Sequence, residues 1–198
     1  MNIPEMIAKH GIRPHGVIQV GSHWGEEHPV WVGLNMQHIV HFEPLESNCA
    51  KLKELHPDAV LYPIALGSKN HRAEMHTETV NGGQSCSLLG PKTHLDILPW
   101  IEFTGKEGVS VCRLDDVGLP DNYNIIYMDV QGYELEVLRG ASKRLRAIDA
   151  IFTEVNRDEV FEGCAKIEEI DSFLAGHGFR RVETDWHGGQ FGDALYVR

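Results

Sequence analysis

Four short stretches place residues capable of chemistry directly after apolar runs: Gly21-Ser22-His23-Trp24-Gly25, Glu43-Pro44, Asp129-Val130-Gln131-Gly132 and Glu154-Val155-Asn156. Glycine at positions 21 and 25 lets the backbone turn tightly and approach a ligand, while a following helix offers unpaired N–H groups. The spacing is G-x-x-x-G, so the pyrophosphate fingerprint G-x-G-x-x-G is incomplete. Glu43 lies 22 residues beyond Gly21, at the end of the next apolar run. From there a carboxylate can accept hydrogen bonds from both hydroxyls of a ribose. Strand, glycine turn, helix, strand, acid is the order of a nucleoside-cofactor half-site.

The elements that must hold these residues are readable from apolar periodicity. Seven short apolar runs, Val17 to Gly21, His38 to Glu43, Val60 to Leu66, Asn124 to Val130, Asp149 to Val155, Arg180 to Thr184 and Ala194 to Arg198, alternate with amphipathic stretches. That alternation predicts parallel strands joined by helical crossovers. The first five runs carry little polar alternation and read as strands covered on both faces. Helices are expected over Glu26 to Met36, Glu46 to His56, Tyr133 to Arg146 and Lys166 to His177, each with acids early, bases late, or a Pro or Gly at its boundary. In open parallel sheets ligands bind beyond the carboxyl ends of the strands, where the four loaded stretches fall.

Between Gly67 and Asp121 the alternation lapses. Arg72 to Val80 and Val109 to Leu114 look strand-like, Asn81-Gly82-Gly83-Gln84 is a turn, and a short helix is expected near His94 to Phe103. The expected organisation is one domain over residues 1–198, with a helical lead-in over 1–15 and a β excursion over 68–120 that covers the site.

Composition narrows the function classes. Lys and Arg total 18 against 29 Asp and Glu, a formal charge of −11. A surface this acidic repels a phosphate backbone, which argues against nucleic acid as a partner. No stretch reaches the roughly 18 apolar residues a membrane helix needs, and Met1-Asn2-Ile3-Pro4-Glu5-Met6 lacks the layout of a signal peptide, so a cytoplasmic protein with no membrane partner is expected. The four cysteines at 49, 86, 112 and 164 form no C-x-x-C pair and read as reduced thiols.

Several segments together resemble the FkbM-type S-adenosylmethionine-dependent methyltransferases. They are Val17-Ile18-Gln19-Val20-Gly21-Ser22, His41-Phe42-Glu43-Pro44, Leu114-Asp115-Asp116-Val117, and above all Met128-Asp129-Val130-Gln131-Gly132-Tyr133-Glu134 with the leucine-rich stretch through Arg139-Gly140-Ala141. The resemblance runs from about residue 16 to 198. It implies an α/β, Rossmann-like class I fold, with a seven-stranded, mostly parallel sheet whose last strand enters antiparallel. It also implies methyl transfer from S-adenosylmethionine to a hydroxyl on a sugar, a glycan or another small natural product.

On that resemblance Gly21, Ser22, His23 and Gly25 wrap the methionine portion of the cofactor, Glu43 and Pro44 meet the ribose, and Ala65 and Leu66 flank the adenine. Ser87 closes over it from the excursion, and Asp129 and Val130 complete the wall. Methyl transfer needs alignment and removal of a proton, so Asp129 is the expected catalytic carboxylate, with Glu154 beside it. Asp129, Glu154 and Asn156 also resemble the acid, acid, amide set that holds magnesium in some O-methyltransferases of this fold, although a divalent metal is not the favoured reading. Gln19 and Gln131 stand where many family members carry acids, which keeps open a catalytically inactive binding module. A nicotinamide-dependent dehydrogenase is the other alternative.

Overall fold

The computed structural model describes all of residues 1–198. Helix α1 (Ile3–Lys9), capped by the Asn2 side chain on the Glu5 N–H, leads into β1 (Gly16–Val20), α2 (His28–Gly33), β2 (His38–Phe42), α3 (Glu46–Leu55) and β3 (Val60–Tyr62). After an excursion the chain returns through β7 (Ile125–Met128), α5 (Glu134–Gly140), β8 (Ala150–Asn156), α6 (Ile167–Gly176), β9 (Arg180–His187) and β10 (Phe191–Val197). These strands form one seven-stranded sheet in the order β3-β2-β1-β7-β8-β10-β9. Pairing is parallel from β3 through to β8, and the last strand, β10, runs antiparallel to both of its neighbours.

The apolar runs become buried strands because both faces of the sheet are covered. Every residue of β1 and β8 is buried. Alternate side chains of β1 go to opposite cores: Ile18 and Val20 join Leu135, Leu138, Ile170 and Leu174 on the side of α5 and α6, whereas Val17 packs with Ile3, Ile7 and Trp31 on the side of α1 and α2. Fully burying one such aliphatic side chain contributes about 1.5–3 kcal/mol. No helix is long and apolar enough to cross a membrane.

Three elements of the main sheet and its helices depart from the sequence expectation, and in the excursion the helix expected near His94 to Phe103 ends at Ile97 while the strand expected from Val109 begins at Phe103. The run Val60 to Leu66 is two strands in two sheets: β3 is a partly exposed edge, and β4 (Ala65–Leu66) pairs with the excursion instead. Pro63, which has no N–H to give a ladder, stands at the division, and the Ile64 N–H turns back onto the Tyr62 carbonyl. Helix α2 is shorter than expected, with Pro29 in its first turn. The helix expected through Arg146 stops at Gly140, which packs so closely on the Gly67 carbonyl that an added Cβ would lie 2.0 Å from its oxygen. Beyond it the carboxylate of Asp115 accepts the N–H groups of Lys143 and Arg144 and starts a separate 3-10 turn over Arg144–Ala147.

The excursion is a second, three-stranded sheet of order β4-β6-β5, built from β5 (His71–Glu78) and the antiparallel β6 (Phe103–Cys112), with the one-turn helix α4 (His94–Ile97) between them. All four cysteines are unpaired.

Candidate active site

The carboxyl ends of β1, β2 and β7 converge on one opening. At the end of β1 the backbone enters left-handed conformations at Gly21 (φ 71°), His23 (φ 45°) and Gly25 (φ 82°). Gly21 is obligatory: a Cβ there would sit 1.9 Å from the Asp129 carbonyl oxygen. Glu43, at the end of β2, reaches back under this turn. Its Oε2 accepts the His23 N–H at 2.9 Å, and its Oε1 accepts the Leu45 N–H at 2.9 Å and the Asn48 amide at 3.4 Å. Burial pushes the Glu43 pKa up, against the pull of these donors, and Oε2 retains acceptor capacity.

Two clefts open from this point. The first, about 550 Å³ including space open to solvent, is lined by Gly21, Glu43, Pro44, Ala65, Leu66 and Val130 among others. The second, about 1130 Å³, is bounded by Ser22, Glu27, His94, Tyr127, Glu154 and Phe191 among others. His23, Asp129 and Gln131 belong to both walls. The turn of the excursion roofs the first cleft through Gly83 and Gln84, and it is clasped there by the His23 ring, whose Nε2 donates to the Gly82 carbonyl at 2.8 Å while Nδ1 lies 2.6 Å from Glu26.

Two residues expected at the cofactor stand behind these walls. Gly25 gives the turn room against the His56 ring, 2.9 Å from where a Cβ would be. Ser87, fully buried, donates its hydroxyl to the Gln131 carbonyl at 2.7 Å and accepts the Leu89 N–H at 3.0 Å.

Asp129, on the wall both clefts share, Glu154, on the second, and the buried Glu134 bring carboxylate oxygens within 4.8 Å of one another. Asn156, which the sequence set beside Asp129 and Glu154, is fully buried at the end of β8, and neither polar atom of its side chain has a partner. Glu134 is the third carboxylate of the cluster; its Oε1 accepts the N–H groups of Val130 (3.2 Å) and Gly132 (3.1 Å) in the turn that precedes α5. No Lys or Arg forms an ion pair with any of the three.

The pKa of each member is raised. Burial is the largest cause at Glu154 and Glu134, followed at Glu154 by the charges of Asp129 and Glu134. Asp129 is open to water through the cleft yet crowded by protein around its carboxyl; that crowding and the charge of Asp193 push its pKa up, opposed by Gln131. Like charges this close do not all ionise. Glu134 holds two amide donors that favour its anion, whereas burial and the neighbouring carboxylates favour the neutral form of Glu154.

Gln131, itself left-handed (φ 53°), donates its amide to Asp129 at 2.7 Å and to Glu154 at 3.4 Å. A glutamate at that position would add a fourth carboxyl group; the amide supplies a donor instead. The sequence signal that could have found Glu134 is its offset of two from Gly132, which lets a side chain fold back over the turn's N–H groups. Glu27 and His94 carried no such signal.

A parallel sheet closed by one antiparallel strand, with clefts at the ends of β1, β2 and β7, defines the class I methyltransferase fold. The ribosomal protein L11 methylase of Lactobacillus delbrueckii subsp. bulgaricus shares it at a TM-score of 0.58 and 11% identity, over 98% of this chain and 75% of that one. A SAM-dependent methyltransferase of Aquifex aeolicus shares it at 0.53 and 14%, over 98% and 89%. Within that class the chain belongs to the methyltransferase FkbM domain family, whose model matches residues 19–181. The 2-O-methyltransferase NoeI of Sinorhizobium fredii (strain NBRC 101917 / NGR234) is 34% identical over 123 residues, 58% of this chain and 50% of that protein. The chain therefore spans about half the length of this relative.

Proposed function

We propose that the protein is an S-adenosylmethionine-dependent O-methyltransferase acting on a hydroxyl of a sugar, a glycan or another small natural product. The observation that carries this reading is the meeting of two clefts at Asp129: one apolar-walled with a buried ribose acceptor, the other larger and lined by polar side chains. The residues fit the donor, since Glu43 has free acceptor capacity at the cleft, Ala65 and Leu66 offer flat apolar contact for a base, and Gly21 permits close backbone approach. Bound there, S-adenosylmethionine would supply a methyl group already activated on a sulfonium.

The chain's own work is alignment and proton removal. Asp129 orients the acceptor hydroxyl and takes up its proton, held in place by Gln131. Glu154, whose neutral form is favoured by burial and by the neighbouring carboxylates, limits the negative charge at the reacting centre. The excursion over 68–120 closes the donor side through the His23 clasp. The name of NoeI supports an oxygen acceptor. A divalent ion at Asp129, Glu134 and Glu154 is not required by this reading.

The test is a thermal-shift series followed by label transfer. S-adenosylhomocysteine should raise the melting temperature and NAD should not, and methyl-labelled donor should label members of a panel of glycosides and hydroxylated natural products. Stabilisation by NAD alone would overturn the reading.

A further inference from the structure

We propose that Glu27 receives the cationic amino group of the donor's amino-acid end. The proposal rests on the reading that the donor is S-adenosylmethionine, and it begins with what Gln19 does. Gln19 is fully buried on β1; its Nε2 donates to Glu27 Oε2 at 2.6 Å, and its Oε1 accepts the Trp31 indole N–H at 2.9 Å. Gln19 therefore presents no surface to a ligand. Its role is to aim the next carboxylate along.

Glu27 is half-buried just before α2 and borders the second cleft beside Ser22, His23 and Asp129. Its other oxygen accepts the Tyr127 hydroxyl at 3.3 Å. Both donors are neutral, and Glu27 forms no ion pair; the adjacent Glu26 is already engaged by His23. A carboxylate withdrawn from water against neutral partners is costly to ionise, and burial with the charges of Glu26 and Asp129 raises its pKa accordingly. An arriving ammonium supplies the missing positive charge and N–H donors together. Among the groups of the donor, the amino group is the one that is both cationic and a hydrogen-bond donor, and it belongs to the portion expected along the Gly21 turn.

Isothermal calorimetry with two ligands tests this: S-adenosylhomocysteine, and its analogue lacking only the amino group. Glu27→Gln should weaken S-adenosylhomocysteine about 10- to 100-fold, the range for a lost hydrogen bond to a charged group. The amine-free analogue should bind both proteins alike. Glu27→Asp keeps the charge, so it should retain a measurable preference for the amine-bearing ligand; this variant decides the matter if Glu27→Gln does not fold. Unchanged S-adenosylhomocysteine affinity in Glu27→Gln, or an equal loss for both ligands, would overturn the assignment while leaving the donor reading intact. Failure of the unaltered protein to bind S-adenosylhomocysteine would overturn both.

Discussion

Replacing Glu43 should affect ligand affinity and stability by separable amounts, because its carboxylate serves both the cleft and the backbone. In Glu43→Ala the N–H groups of His23 and Leu45 lose their acceptor, and each buried donor left unpaired costs about 1–3 kcal/mol. That variant would confound binding with unfolding. Glu43→Gln is the better perturbation: its amide oxygen can still accept from Leu45 and Asn48, and only the His23 N–H faces a donor in place of Oε2. Stability should therefore fall by about 1–3 kcal/mol, or roughly 2–12 °C in Tm at about 2–4 °C per kcal/mol. Affinity should fall separately. A ribose that loses its anionic acceptor loses about 1.5–3 kcal/mol, which is roughly ten- to a hundredfold in Kd. Calorimetric titration of S-adenosylhomocysteine, well below both melting temperatures, measures the second quantity free of the first. A folded Glu43→Gln protein that binds within about threefold of the unaltered one would refute the assignment of the ribose to Glu43.

Asp129→Asn should lower turnover by about 10²–10⁴ and leave S-adenosylhomocysteine affinity within about tenfold; near-normal turnover on an acceptor identified by label transfer would remove Asp129 as the proton acceptor. Turnover should persist in excess chelator, and its loss with recovery on added magnesium would instead put a metal at Asp129, Glu134 and Glu154. Glu154→Gln should stabilise the protein increasingly as pH rises above about 4.3, the unfolded value: an acid whose pKa is higher folded than unfolded loses stability as pH rises from its unfolded value through its folded one, by about 1.4 kcal/mol per unit of difference. Parallel melting curves against pH for the two proteins would show that Glu154 carries no such strain.

How much of this was legible beforehand depended on which physical constraint each residue answers to. β1 and β8 could be read because strands covered on both faces are continuous apolar runs, and Gly21 because a left-handed turn pressed against the Asp129 carbonyl excludes other side chains. Glu43 was legible through its spacing from that turn. The division at Pro63 was not, since an apolar run looks the same whether its halves join one sheet or two. The electrostatic roles were hidden for a different reason. Whether an acid is a base, a cap or a proton store depends on which charges stand near it, and Asp129, Glu134 and Glu154 come from separate positions on two strand ends and a helix. Gln19 shows the consequence most directly. In the sequence it reads as an acid deleted from the first strand; in the structure its amide lies 2.6 Å from Glu27, and the negative charge stands eight residues further on, at the lip of the same opening.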